Sequence, residues 1–343
     1  MFCNFLKRII VLLCLLVPAY AQAGEVLRVL AWPGYADPDL VQIFEQRNKV
    51  KVEVTTVGSD DEMWEFLSKG QGADFDVFAV NTAELQRYID SGISVPLVPA
   101  DIRNTARQLP RFRDLAAIPG VMRNDKAYAI PYTYSEMGLI YDHKTFSKPP
   151  VSFSVMWDKR YAGRVLMFQG STHNFSLAAM ELGLRNPFRI AADDFGRVSR
   201  HLIELRRNVL TYYVQPEEAT QLYIQNHAVL LFANYGSQQM RMLQQTGADV
   251  GYVIPREGAL AWLDCWSLSR GAKNPKLAEA WIDFTLEPRV SHALVERQGL
   301  SNTIEESPAA RNAKLVWLQK VEDSAKRARL WDRIFSGDLP ERF

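Results

Sequence analysis

The sequence predicts an α/β fold made of two doubly wound lobes. Three observations carry this. At 343 residues the chain exceeds what one ordinary hydrophobic core supports. From residue 27 to residue 92 strand-like and helix-like segments alternate, as in a parallel sheet with helices between its strands. A second alternating region opens at residue 164.

The elements follow in order. Residues 27–32 (LRVLAW) make a first buried strand that runs into the turn Pro33-Gly34-Tyr35. Asp37-Pro38 reads as an N-cap and first helical residue, with Leu40, Ile43 and Phe44 as the apolar stripe. Residues 50–57 (VKVEVTTV) alternate with period two and form the second strand. Ser59 and Glu62 make a capping box ahead of Met63, Phe66 and Leu67. Residues 75–80 (FDVFAV) are the third strand, and Thr82 caps a helix that stops at Gly92. In the middle, 128–134 (YAIPYTY) is an extended piece, 138–141 a strand and 157–163 a loop.

Residues 164–168 (RVLMF) then form a strand, and 169–174 (QGSTHN) a polar loop before an apolar helix at 175–182. The backbone N–H groups at such a start suit an anion, while Ser171, Thr172 and Asn174 are equally ordinary caps. A helix carries Phe195, Val198, Leu202 and Leu205, with His201 beside the stripe. A short helix at 220–226, a strand at 228–233 and a helix at 238–245 follow. Residues 257–268 (EGALAWLDCWSL) read as extended. Asn274-Pro275 starts a helix, another spans 288–298, and 314–335, rich in Arg and Lys, reads as a last helical region.

Residues 1–23 stand apart. Lys7 and Arg8 precede an apolar run from Ile9 to Val17, and Ala21-Gln22-Ala23 supplies the small residues of a cleavage site, so a secretory signal is expected there. Its removal takes two positive charges and no acid, turning the formal net charge from +1 to −1. Such a chain is a poor candidate for nucleic-acid binding through bulk charge. It also loses Cys3 and Cys14, leaving Cys265 with no intrachain partner. The mature protein is expected in the periplasm, or secreted.

Enzyme signatures are missing. The five histidines include no H-E-x-x-H, the glycines form no phosphate loop, and no G-x-S-x-G occurs. No cofactor or metal is expected, and Cys265, beside a Trp, reads as inert. Aromatic residues recur instead at predicted strand ends: Trp32, Tyr35, Tyr134, Tyr235 and Trp262. Five of them facing one crevice suggest an aromatic-walled cleft for a small ligand. Within the extended segment, period two puts Trp262 and Asp264 on one face. A ring beside a carboxylate is a natural receptor for an ammonium group; a packed Trp with a turn-capping Asp has the same sequence.

The W-x-x-Y of Trp32 and Tyr35, the FDVFAVN strand ending at Asn81, the AIPY segment, MWDKRYAGRVL and the W-L-D of Trp262 and Asp264 occur together in one order. By these the chain resembles the periplasmic solute-binding proteins of ABC importers, most closely the spermidine- and putrescine-binding family. The resemblance implies two doubly wound lobes joined by crossing strands and closing on a ligand. Lobe 1 would hold 24–134 with about 265–308, and lobe 2 would hold 135–264 with about 309–343. It implies a small amine-containing ligand, a membrane permease as partner and a monomeric receptor.

By the same resemblance Trp32 and Tyr35 match an aromatic wall, Asn81 a polar strand-end ligand, and Trp262 and Asp264 the groups that hold an amine. The chain departs from the family at Gly170 and His173, where carboxylates are usual, at Leu300 in place of an aromatic, and at Asn234-Tyr235 in place of a Trp. One clear counter-ion favours a single amine, with His173 and Ser171 receiving the other end, as in an ω-amino acid such as 4-aminobutyrate. Glu136, near the crossing, could restore the carboxylate of a polyamine binder. A periplasmic sensor subunit is the alternative role, and an enzyme on this fold carries little weight.

Overall fold

The computed structural model describes residues 25–308, 310, 311 and 313–342; the expected signal segment lies outside the described residues. In lobe 1, β1 (Val26–Ala31), β2 (Lys51–Thr56) and β3 (Val77–Asn81) are parallel, in the order β2-β1-β3. Three helices cross between and after them: α1 (Pro38–Asn48), α2 (Asp60–Lys69) and α3 (Thr82–Asp90). Leu27 and Val29 pack against Leu40 and Phe44 of α1, while Leu30, Phe78 and Val80 pack against α2 and α3 through Met63, Leu67, Leu85 and Tyr88. Helices thus cover both faces, which is why β3 is apolar up to Asn81 and β1 apolar but for Arg28, while β2 at the sheet edge keeps its alternation.

A 13-residue strand, β4 (Ile130–Asp142), comes next. It joins what the sequence reads as two pieces. Pro131 is accommodated because the ladder shifts register opposite it, between Asp264 and Cys265, and its carbonyl accepts from Gln108 Nε2 at 2.6 Å.

Lobe 2 repeats the pattern with β5 (Val165–Phe168), β6 (Val209–Tyr213) and β7 (Leu230–Ala233), parallel in the order β7-β5-β6. Its helices are α4 (Ser171–Glu181), α5 (Phe195–Arg206), α6 (Pro216–Gln225) and α7 (Gly236–Gln245), and β8 (Val250–Val253) pairs antiparallel with β4. Phe175, Val198 and Leu202 fill one face, Tyr223 and Leu243 the other.

The strand β9 (Ala259–Ser269) closes the architecture, antiparallel to both β3 and β4. The sheet therefore runs β2-β1-β3-β9-β4-β7-β5-β6. Its two central strands are shared: β4 pairs with residues 301 and 302 through Tyr134 and Thr133, and with β7 from Gly138 to Tyr141. This is an α/β fold of two doubly wound lobes joined by crossing strands. α8 (Pro275–Thr285) and α9 (Pro288–Gln298) return to the first core through Trp281, Phe284 and Leu294, and α10 (Ser324–Phe335) reaches the second through Trp331 and Ile334.

Several local readings differ from the structure. Leu315–Trp317 is a strand beside β9, so the last helix starts only at Ser324, where Asp323 accepts from Lys326 N at 2.7 Å. Asp37 makes no cap bond and instead takes Arg297 at 2.6 Å. Asn81 caps α3 by accepting from Glu84 N at 3.0 Å, while Thr82 Oγ1 donates to the Leu318 carbonyl. α4 begins at Ser171, so four of the six residues of the polar QGSTHN segment are already helical.

Candidate functional site

The register of β9 sets Trp262 opposite Ser135 and Asp264 opposite Thr133, while Leu263 and Cys265 face the other side of the sheet with α2 and α3. Asp264 is 7% exposed. Tyr35 reaches it from the turn after β1, where Gly34 at φ 82° lets the Tyr35 N–H return to the Trp32 carbonyl at 3.2 Å. The Tyr35 hydroxyl donates to Asp264 Oδ2 at 2.5 Å. Burial holds that hydroxyl well above its ordinary pKa, so it stays a donor at neutral pH. The Tyr35 ring stands edge-on to Tyr132 and Trp266, with centroids at 5.4 and 6.4 Å.

Burial pushes Asp264 up to about 7; the Tyr35 bond opposes this and the charge of Asp60 adds to it. Asp264 Oδ1 accepts no hydrogen bond among the described residues. Trp262 packs against the cores of both lobes, and its Nε1 donates to the Asn234 carbonyl at the end of β7, at 3.1 Å. Trp32 packs against both faces of lobe 1, with its indole Nε1 buried and unpartnered among the described residues.

Asn81 lies in register with Asp264, and besides capping α3 it donates Nδ2 to Asp60 Oδ1 at 2.9 Å. Asp60, first residue of α2, is itself pushed up to about 7, by burial first and then by Glu84, with Arg87 pulling the other way. Its position beyond the carboxyl end of β2 was the available signal; within the capping box it reads only as a first-turn acid.

Tyr235 lies in lobe 2, between β7 and α7. Its ring stands 6.3 Å from Phe168, its hydroxyl donates to the Val214 carbonyl at 3.1 Å, and burial, with Glu217 and Asp60 adding, pushes that hydroxyl up to about 12. Phe168, the last residue of β5, also meets His173 edge-on at 5.4 Å. His173 lies in the first turn of α4, its Nδ1 unpartnered among the described residues. Burial, then the Arg327 charge, lowers it to about 4, so it is neutral at pH 7. A Cβ on Gly170 would lie 2.7 Å from the Phe168 ring and 2.8 Å from His173 Nδ1, which leaves no room there for an acid.

Tyr134 is not gathered with these residues. It alternates to the other face of β4, stacks near Phe112 and Trp317, and accepts from Arg111 Nη2 at 3.0 Å. Glu136 shares that face. It is fully buried, its Oε1 accepts from Ser237 Oγ at 3.5 Å and its main-chain carbonyl from the Tyr252 hydroxyl at 2.8 Å, its Oε2 is unpartnered among the described residues, and burial pushes it up to about 7. Leu300 packs into the first core. Two surface depressions of about 360 and 610 Å³ lie elsewhere, lined by residues such as Asp101 and Lys276, and Leu97 and Met122. The described residues hold no cluster suited to a metal ion and no helix long and apolar enough to cross a membrane.

Asp264 thus takes a tyrosine bond from lobe 1 and shares a strand face with Trp262, on a strand that pairs with both β3 and β4. Residues 39–321 match the family model of bacterial extracellular solute-binding proteins. The chain belongs to this family. Among such solute-binding proteins it is similar to the norspermidine sensor of Vibrio cholerae, at 23% identity over 84% of this chain and 80% of that one. It is also similar to two Escherichia coli proteins. The spermidine/putrescine-binding periplasmic protein is 23% identical, with 82% and 78% covered, and the putrescine-binding periplasmic protein 24%, with 95% of each covered. In structure it resembles the spermidine/putrescine ABC transporter substrate-binding protein of Streptococcus pneumoniae, with a TM-score of 0.76 at 20% identity, covering 91% of this chain and 99% of the other.

Proposed function

We propose that this chain is the receptor of an ABC importer and captures a small amine-bearing solute, a polyamine or an ω-amino acid such as 4-aminobutyrate, between its lobes. Asp264 carries the reading. A buried carboxylate with one tyrosine bond and no cation partner among the described residues, on the same strand face as Trp262, is unfavourable until an ammonium group completes it. The norspermidine, spermidine and putrescine named for its relatives support the amine. The far wall of Phe168, His173 and Tyr235 is neutral, which suits an uncharged or carboxylate tail. Glu136 faces away from Trp262, so it does not supply the second carboxylate on this wall.

Cys265 is fully buried and its thiol is pushed well up by burial, which supports capture rather than catalysis. The lobes divide where β4 and β9 cross, near Ser135 and Asp264, and the receptor works as a periplasmic monomer with a membrane permease. The norspermidine sensor among the relatives supports a second reading, in which the bound form reports to a membrane partner.

A thermal-shift screen with putrescine, spermidine, norspermidine and 4-aminobutyrate tests the ligand class. A bound amine raises the melting temperature by several degrees at ~100-fold excess over Kd. No shift with any amine, alongside a shift with a neutral sugar, would overturn the reading. Tight putrescine or spermidine binding with none for 4-aminobutyrate would sink the ω-amino-acid arm.

A further inference from the structure

Asp60 is a half-buried carboxylate with no side-chain ion pair among the described residues. Its Oδ1 takes Asn81 Nδ2, and its Oδ2 accepts no bond among the described residues. Arg87, the nearby arginine, is engaged otherwise. It gives Nη2 to the Asp60 main-chain carbonyl at 3.0 Å, meets Glu84 at 3.0 Å and lays its guanidinium over Trp64 at 4.5 Å. Glu84 and Asp61 add negative charge around Asp60 and Arg87 offsets part of it. Because Asn81 is in register with Asp264, the two acids flank the same strand end, and each keeps one oxygen open. A buried carboxylate beside a half-buried one, neither with a cation among the described residues, is costly unless a cation joins them.

We propose that Asp60 is the second counter-ion of the bound amine: one ammonium group is shared between Asp264 Oδ1 and Asp60 Oδ2, so the site selects cations with at least two N–H donors. This rests on the reading that Asp264 holds an amine. A primary ammonium carries three donors and satisfies both acids. A quaternary ammonium is as attractive to the Trp faces but offers none. Asn81 is then a positioning residue, holding Asp60 against the strand end while it caps α3.

The test is calorimetry with putrescine, 4-aminobutyrate and their N-trimethyl counterparts on the parent, Asp60→Asn and Asp264→Asn proteins. Asparagine at 60 keeps the bond to Asn81, so the unliganded variant melts no lower than the parent. Its affinity for the primary amines falls ~10- to 100-fold, as for loss of one hydrogen bond between charged groups, and the parent binds the trimethyl compounds at least about tenfold more weakly. Unchanged affinity in Asp60→Asn, with binding lost in Asp264→Asn, overturns the role of Asp60 and leaves the amine reading standing. Unchanged affinity in both variants overturns both. A parent that binds the trimethyl and primary amines equally overturns the shared ammonium.

Discussion

Replacing Asp264 by Asn removes a buried charge while keeping the shape of the side chain, and it should move stability and binding in opposite directions. In the unliganded protein this acid titrates at about 7 against an ordinary 3.8. An acid with a raised folded-state pKa costs the fold nothing below its unfolded value. The cost grows as pH rises from about 4 to 7 and is constant above that. Each unit is worth ~1.4 kcal/mol, so the charge costs at most ~4 kcal/mol at pH 8. The asparagine amide must itself be buried, which takes back ~1–3 kcal/mol. The unliganded variant is therefore expected to gain roughly 1–3 kcal/mol at pH 8, or ~2–6 °C in Tm, and less at pH 5. With an amine bound the sign reverses. Losing one partner of a buried charge pair costs ~2–5 kcal/mol, which weakens Kd by about 30- to 5,000-fold. Melting curves at pH 5 and 8, with calorimetry on putrescine and 4-aminobutyrate at pH 8, measure both halves. A variant whose Kd stays within about threefold of the parent, far inside the expected loss, would refute the reasoning.

Tyr35→Phe takes away a charge-assisted bond worth roughly 1.5–3 kcal/mol, so Asp264 should protonate at higher pH and amine affinity should fall earlier as pH drops; an unmoved Kd profile between pH 6 and 9 counts against this. Glu136→Gln should raise Tm at pH 8 more than at pH 5, because the buried acid at about 7 burdens the fold only once ionised. An equal change at both pH values would rule out its charge as the cause. Gly236 sits at φ 48°, where a Cβ would lie 2.5 Å from the Glu136 carbonyl, so Gly236→Ala should cost ~1–3 kcal/mol or more, and an unchanged Tm would contradict that geometry.

The six elements of lobe 1 were legible because each strand is bounded by its own turn residues and each helix carries a stripe. The pair Trp262 and Asp264 was legible too, since period two survives along β9 as far as Asp264. What escaped was set by distant partners. β4 reads as two strands because Pro131 looks like a breaker until Cys265 and the register shift stand opposite it. Leu315–Trp317 reads as helix because nothing local reveals β9 alongside. β6 and β8 are short runs of four or five residues with mixed burial, too brief for a period to show. Asp60 hid behind an ordinary capping motif, and Tyr134, which the sequence puts at a strand end, lies within β4 on the face away from Asp264.

The crossing of β9 into the first lobe also fixes an order of events in folding. β3 is flanked on one side by β1, but on the other by a segment far along the chain, with Val77 paired to Leu268 and Asn81 to Asp264. The first lobe therefore cannot seal its own sheet from its own contiguous residues, and β3 keeps an open edge until residue 269 has been made. Pairings of such sequence separation are slow to form. A chain threaded this way stays unfinished while it is synthesised, and the strand that completes its fold is also the one that carries Trp262 and Asp264.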